Sequence, residues 1–113
     1  MTDWYRACAL SELVEGEPLG IEIRNTPVGL YRIGDQCYAL HDVCTHAYAL
    51  LSTGFVEGEI VECPLHAAQF CVVTGACLSG PASEGVATYD VKIEGDDVFV
   101  RIPAVSSEPS RSG

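Results

Sequence analysis

The sequence predicts an all-β fold made of stacked antiparallel sheets. The segment 89–102 alternates apolar and polar residues, turns at a Gly-Asp-Asp sequence, and alternates again, as an antiparallel hairpin does. Two other runs, 28–33 and 36–40, are rich in β-branched and aromatic residues and are separated by a Gly-Asp turn dipeptide, which indicates a second hairpin. No amphipathic helix longer than about two turns is predicted.

The first part of the chain is expected to form two strands. Segment 4–10 mixes apolar and polar residues loosely, which is typical of an edge strand, and segment 11–13 suits a short turn. Ile21 and Ile23 alternate with charged residues, which indicates a strand with one solvated face. The Asn-Thr-Pro sequence at 25–27 is expected to end that strand.

The middle of the chain predicts a further hairpin. Segments 60–63 and 69–73 form its strands, while Gly54, Gly58 and the acidic residues between them suit loops or turns. Aromatic residues along the chain are expected to pack in the core or on strand faces. They are Tyr31, Tyr38, Phe55, Phe70 and Tyr89.

A length of 113 residues allows one domain, which we expect at 1–103. Residues 104–113 contain Ser, Pro, Gly and charge without periodicity, so a disordered tail is expected there. The longest apolar run is far shorter than the roughly twenty residues that span a bilayer. The segment 1–6 lacks the basic stretch, long apolar stretch and small-residue cleavage site of a secretory signal, and a cytoplasmic location is therefore expected.

The chain is strongly acidic. Six Lys and Arg against sixteen Asp and Glu give a formal charge of -10, which argues against nucleic acid and anionic membranes as partners. Basic protein surfaces are the expected partners. The alternative is that the acidity serves only solubility.

Two short couplets of metal-binding residues stand near the middle of the chain. Cys44 and His46 form a C-x-H sequence, a sixteen-residue spacer follows, and Cys63 and His66 form C-x2-H. Each couplet offers one soft thiolate and one imidazole, so together they make a four-ligand set. The order differs from that of a zinc finger, although a zinc site could use the same four residues.

This pattern resembles the Rieske proteins, in which two cysteines hold one iron of a [2Fe–2S] cluster and two histidines hold the other. The Gly-Pro-Ala loop that covers the cluster in that family also appears here, at 80–82. The resemblance implies one cluster, with Cys44 and Cys63 on the inner iron and His46 and His66 on the outer iron through their Nδ1 atoms. It also implies sheets that carry a small cluster-binding lobe, at about 43–82.

The resemblance is nearest to the small ferredoxins of bacterial aromatic ring-hydroxylating dioxygenases. It implies a monomeric carrier that takes single electrons from an NAD(P)H-dependent flavin reductase to a terminal oxygenase. Such a centre has four protein ligands and no open position, so it implies electron transfer and no substrate site. Two alternatives remain, a Rieske subunit of another oxidoreductase complex and a zinc-stabilised interaction module. The substrate of the oxygenase does not follow from the sequence.

The other cysteines and the third histidine have simpler interpretations. Cys8, Cys37, Cys71 and Cys77 are expected to be small apolar core or loop residues in a reducing compartment. A bridge between Cys71 and Cys77 across the turn at 74–75 is the alternative. The remaining residues near the first couplet are His41, expected to be a structural hydrogen-bonding group, and Asp42, expected to be a turn residue.

Four positions near the couplets depart from other Rieske proteins, and all of them except Ala67 bear on the reduction potential that the resemblance implies. Tyr48 and Leu65 stand where respiratory Rieske proteins have two cysteines that form a disulfide beside the cluster. Ala67 stands where many Rieske proteins have a Gly after the second ligand His. Ala68 replaces a Ser whose hydroxyl donates a hydrogen bond to a cluster sulfur in respiratory members. Loss of this hydrogen-bond donor makes the negative charge of an added electron harder to stabilise and so lowers the reduction potential. The implied potential is therefore near the bottom of the roughly -150 to +300 mV range, and flat around neutral pH.

Overall fold

The structure is a computed structural model that describes residues 2–43, 50–64, 68–79 and 85–103. Within those ranges the chain forms strands, loops and two three-residue 3-10 turns, at Leu10–Glu12 and Leu51–Thr53, and no α-helix. The strands are, in chain order, β1 (Thr2–Ala9), β2 (Leu19–Ile23), β3 (Thr26–Ile33), β4 (Gln36–His41), β5 (Phe55–Glu57), β6 (Ile60–Glu62), β7 (Gln69–Cys71), β8 (Cys77–Ser79), β9 (Thr88–Glu94) and β10 (Asp97–Pro103).

Two antiparallel sheets contain these strands. The larger sheet has the order β1-β10-β9-β4-β3-β2, and the smaller has the order β5-β6-β7-β8. The predicted all-β class and the three predicted hairpins are confirmed, because β3 pairs with β4, β6 with β7, and β9 with β10. The first strand lies at an edge of the larger sheet, as expected.

The strands β3 and β4 lie between two hydrophobic cores. Alternate residues of β3 point in opposite directions, so Leu30 enters one core while Tyr31 enters the other. In β4, Ala39 and Leu40 divide in the same way. Burial on both faces explains why these strands read as nearly continuous apolar runs.

One core belongs to the larger sheet and the other joins it to the smaller sheet. The first core contains Cys8, Leu13, Ile23, Val28, Leu30, Cys37, Ala39, Val98, Val100 and Ile102. The second contains Tyr31, Leu40, Leu51, Val61, Cys63, Ala68, Phe70, Val72 and Val86. The second core therefore attaches the small sheet to the face of β3 and β4.

The expected end of β2 at 25–27 is wrong by two residues. The turn consists of Arg24 and Asn25 alone, with φ of 51° and 65°, and β3 already begins at Thr26. Two consecutive residues with positive φ form the tight hairpin turn that matches strand twist, and Asn tolerates this conformation well. Pro27 lies within the strand, opposite Glu22, rather than ending it.

Gly54 and Gly58 lie in a bend and a turn, as expected, but the acidic residue between them, Glu57, belongs to a strand, because β5 pairs with β6. The aromatic residue of this strand, Phe55, is 69% exposed and does not pack in the core. Tyr31 and Phe70 are buried, while Tyr38 and Tyr89 are partly buried against the cores, as expected.

The cysteines divide by location. Cys8 and Cys37 are buried in the core of the larger sheet, as predicted. Cys71 and Cys77 lie half-buried on neighbouring strands β7 and β8, and no disulfide joins them. The predicted tail at 104–113 lies outside the described residues. No helix among the described residues is long and apolar enough to cross a membrane.

Candidate metal centre

The four predicted ligands are covered unequally by the structure. Cys63 is described, whereas Cys44, His46 and His66 lie outside the described residues, as do Tyr48, Leu65 and the Gly-Pro-Ala sequence at 80–82. Within the described ranges, no three His, Cys, Asp or Glu side chains form a group that could hold a metal. The site is therefore built from the segments that lead into and out of the three loops.

The register of the small sheet brings the ends of these loops together. Four residues form a row across the sheet, each opposite the next, and every loop begins or ends beside that row. The row consists of Phe55, Glu62, Gln69 and Ser79. The first loop returns to the sheet at Phe55, the second connects Glu62 to Gln69, and the third leaves after Ser79. All three loops thus meet the same end of one sheet.

The first loop is closed where it joins β4. Val43 and Leu50 form an isolated antiparallel bridge, and the amide of Leu51 donates a hydrogen bond of 2.7 Å to the carbonyl of Asp42. These contacts bring the two ends of segment 44–49 together. Cys44 and His46 therefore belong to a loop whose base is fixed by backbone bonds.

The second loop is closed in a similar way. The amide of Cys63 donates to the carbonyl of Ala68 at 2.7 Å, which extends the β6–β7 ladder by one pair. Cys63 is only 1% exposed and packs in the core between the sheets, as does Ala68. The side chain of Gln69 also donates to the carboxylate of Glu62 at 3.3 Å.

Gly54 fixes the distance between the first and second loops. A Cβ built at Gly54 would collide with the carbonyl oxygen of Glu62 and would lie 3.0 Å from Cδ of Pro64. Only a glycine allows the chain leaving the first loop to pass this close to the start of the second. The sequence interpretation treated Gly54 as an ordinary loop glycine and missed this packing.

The segment that follows the third loop is held by two glycines. The amide of Val86 donates to the carbonyl of Gly75 at 2.8 Å, and a Cβ at Gly85 would collide with that same carbonyl. Gly75 itself has φ of 79° and lies directly against the Val86 carbonyl. The third loop therefore ends in close contact with the turn after β7.

The residues just before the first couplet have one expected and one unexpected role. His41 is a structural hydrogen-bonding residue, as predicted, with Nδ1 3.2 Å from the hydroxyl of Tyr89. Asp42 lies in a bend after β4, in agreement with its interpretation as a turn residue, but its side chain has contacts that the sequence did not indicate. Its side chain is 2% exposed and accepts hydrogen bonds from the backbone and side chain of Ser52. Burial raises the pKa of Asp42, and the bonds from Ser52 oppose that rise.

The electrostatics of this end of the molecule are one-sided. No Lys or Arg occurs between Ile33 and Val91, whereas residues 43–87 contain four glutamates. The described basic residues all belong to the larger sheet or its turns. Their ion pairs also lie in the larger sheet, as in the contacts of Arg6 with Asp97 and Arg101 with Asp90. The lobe therefore presents a uniformly acidic field.

The donor chemistry of the couplets fits a [2Fe–2S] cluster. Two thiolates and two imidazoles are the set that holds the Rieske centre. A buried Cys63, free of any disulfide, offers a thiol in an apolar setting that excludes water. The convergence of the three loop ends allows both couplets to reach one centre. The described residues and the donor set are thus compatible with that cluster.

Comparisons with known proteins show the family of this chain. Residues 3–90 match the family model described as the Rieske [2Fe-2S] domain. The chain is 42% identical over 97 residues to the ferredoxin component of the naphthalene 1,2-dioxygenase system from Pseudomonas aeruginosa, covering 86% of this chain and 93% of that protein.

Solved structures show the same likeness. The ferredoxin of carbazole 1,9a-dioxygenase from Nocardioides aromaticivorans IC177 superimposes with a TM-score of 0.83 at 35% identity, over 86% of this chain and 95% of that one. A complex of reduced oxygenase and oxidized ferredoxin in carbazole 1,9a-dioxygenase contains a chain that matches with a TM-score of 0.81 at 36% identity. That match covers 86% of this chain and 91% of the other.

Proposed function

This chain belongs to the Rieske [2Fe-2S] family, and we propose that it passes single electrons from an NAD(P)H-dependent flavin reductase to a terminal oxygenase. It is an electron-transfer ferredoxin rather than a catalytic subunit. The proposed system is a multicomponent aromatic ring-hydroxylating dioxygenase, like those of its relatives. The proposed location is the cytoplasm, with the protein acting as a monomer.

The proposed ligands are Cys44 and Cys63 for one iron, and His46 and His66 for the other. The observation that carries this assignment is the row across the small sheet, because it brings the ends of both ligand loops to one place. When bound, the cluster supplies a one-electron couple whose potential exceeds that of a four-cysteine cluster. Two contacts of the described residues support this assignment: the bond from Cys63 to Ala68 closes the base of the second loop, and Gly54 packs against Glu62 and Pro64 at its start.

The surface of the lobe supports docking to a basic partner. Of eight large apolar side chains that are exposed among the described residues, five lie between 50 and 78. These five are Leu50, Phe55, Ile60, Val73 and Leu78. Exposed apolar groups among acidic residues suit a transient interface with an apolar centre and a basic rim. The acidic field then accelerates the encounter with the partner.

Metal analysis of matched histidine variants tests the assignment. The purified protein is expected to contain equal amounts of iron and acid-labile sulfide and to be coloured. His66→Ala is expected to remove both, while His41→Ala, which changes a histidine bonded to Tyr89, keeps them. A colourless parent protein that holds zinc would instead support the interaction module, because Zn²⁺ is redox-silent.

A further inference from the structure

Asp42 is the one charged residue that is buried among the described residues. None of the ion pairs in that part of the chain includes it. An isolated buried carboxylate is costly unless hydrogen bonds compensate it. Ser52 provides them, because its amide donates to Oδ1 at 2.8 Å and its hydroxyl donates to Oδ2 at 2.6 Å.

The backbone of Asp42 is bonded as completely as its side chain. Its amide donates to the carbonyl of Pro27 at 3.0 Å, and its carbonyl accepts from the amide of Leu51 at 2.7 Å. The residue therefore connects β3 with the 3-10 turn that follows the first ligand loop. Asp42 and Ser52 lie just outside the two ends of that loop. Their hydrogen bonds therefore join the two ends of the segment that contains Cys44 and His46.

A pair of glycines makes room for this contact. Gly20 on β2 and Gly29 on β3 are direct cross-strand partners. A Cβ at Gly29 would lie 2.7 Å from Oδ1 of Asp42, and a Cβ at Gly20 would overlap the hydroxyl of Ser52. Glycine weakens the interior of a strand, so two paired glycines indicate that close approach is required here.

We propose that Asp42 is a positioning residue for the first ligand loop, acting through Ser52 above the Gly20–Gly29 pair. The inference rests on the proposed function, because it assumes that Cys44 and His46 are ligands. Covalent geometry keeps the Cα atoms of Asp42 and Cys44 within about 7 Å of each other. The charge of Asp42 therefore also opposes the addition of an electron to the cluster and lowers its potential.

Variants of Asp42 and Ser52 separate the tether from the charge. Asp42→Asn can still accept from the Ser52 amide and can donate to its hydroxyl, so it preserves the tether and removes the charge. Ser52→Ala removes one bond and leaves the charge. Tyr31→Phe is the matched control, since the Tyr31 hydroxyl lies against the same Gly29 but has no hydrogen-bond partner among the residues that the structure describes.

Two readouts are measured on the iron-loaded proteins, the rate of cluster loss to a chelator and the midpoint potential. Asp42→Ala is expected to lose its cluster about tenfold faster than the parent, the scale found for residues that orient metal ligands. Ser52→Ala is expected to lose its cluster faster than the parent and more slowly than Asp42→Ala. Asp42→Asn is expected to stay within about twofold of the parent in cluster loss while its potential shifts upward. Tyr31→Phe is expected to change neither quantity.

Each other result contradicts the inference. Equal rates of cluster loss in the parent, Ser52→Ala and Asp42→Asn, with equal potentials, would mean that Asp42 only fills space. An Asp42→Asn protein that loses its cluster as fast as Asp42→Ala would contradict the tether, because the amide keeps both hydrogen bonds to Ser52. If Asp42→Ala does not fold, Ser52→Ala and Gly20→Ala remain, and both are expected to hasten cluster loss. A parent without iron and sulfide would overturn the proposed function together with this inference.

Discussion

The two sheets of this molecule differ in what holds them together. Strands of the larger sheet have five to eight residues and enclose a core of their own. The four strands of the smaller sheet have three residues each and share a core with the larger sheet. Short ladders contribute few hydrogen bonds, so the lobe has less stability of its own. The comparison teaches that the larger sheet is the scaffold, and it leads us to expect that the lobe depends on its cluster for stability.

The largest difference is expected from two buried cysteines, one in each region. Cys63→Ala is expected to abolish iron and sulfide binding and to expose the amides of β6 and β7 to hydrogen exchange, while β9 and β10 stay protected. The control, Cys37→Ala, changes a cysteine buried in the other core and is expected to keep the cluster. Metal analysis and hydrogen-exchange mass spectrometry measure both effects. A Cys63→Ala protein with full iron content would refute the ligand assignment.

The next effect concerns two glycines at either end of β5. Gly54→Ala is expected to lower the free energy of unfolding by about 2 to 3 kcal/mol, because the new methyl group meets the Glu62 carbonyl. Gly58→Ala has free space around it and a φ of 62°, so about 1 kcal/mol is expected from backbone strain alone. Denaturant titration of both variants measures the difference. An equal loss of free energy of unfolding in both variants would mean that the backbone of the lobe shifts to accommodate the methyl group at position 54.

A smaller effect is expected from surface charge. Replacing Glu57 and Glu59 together by Gln is expected to slow electron transfer to the oxygenase about two- to tenfold at low ionic strength, and to weaken its salt dependence. The control replaces two exposed glutamates of the larger region, Glu12 and Glu17, and makes the same change in net charge. Stopped-flow measurements of the electron-transfer rate over a range of salt concentrations compare the two pairs of substitutions. Identical effects of both pairs would show that net charge matters and the lobe surface does not.

The smallest effect concerns thiol reactivity in the two regions. Burial raises the pKa of Cys8 to about 11, whereas the Thr74 hydroxyl lowers the pKa of Cys71 by bonding to it. Around pH 8 the thiolate fraction is thus larger for Cys71, which is expected to be alkylated much faster. Thr74→Val is expected to slow Cys71 alone. Peptide mapping after brief alkylation shows which of the two cysteines reacts faster.

The raised pKa of Cys8 also makes the stability of the fold depend on pH. Because the folded state holds this proton more tightly than the unfolded state, the contribution of Cys8 to the free energy of unfolding falls as pH rises above about 8.5.

The ligand pattern could be predicted from the sequence, and the family that it indicated is confirmed, whereas the four ligands themselves stay a prediction. The spacing of Cys44, His46, Cys63 and His66 is a local pattern, so it indicated a metal centre without knowledge of the fold. The role of Asp42 was missed because its partner, Ser52, lies ten residues away and comes near only when the first loop closes.

The same reason explains the errors around β5. A three-residue strand is too short to show an alternating pattern, so no strand was predicted between Gly54 and Gly58, and Glu57 was expected in a loop or turn. Longer strands such as β9 and β10 have room for several alternations, and their hairpin was predicted well. Local signals thus predicted the long elements and the couplets, whereas contacts made by folding had to come from the structure.

A redox titration of the purified protein, followed by its visible absorbance, tests the central claim most directly. The proposed ligands predict a one-electron couple near the bottom of the roughly -150 to +300 mV range of Rieske centres. Ala68, buried beside Cys63, offers no hydroxyl that could raise that value. A couple near about -400 mV, as for clusters with four thiolates, or the absence of a redox-active chromophore would contradict the account.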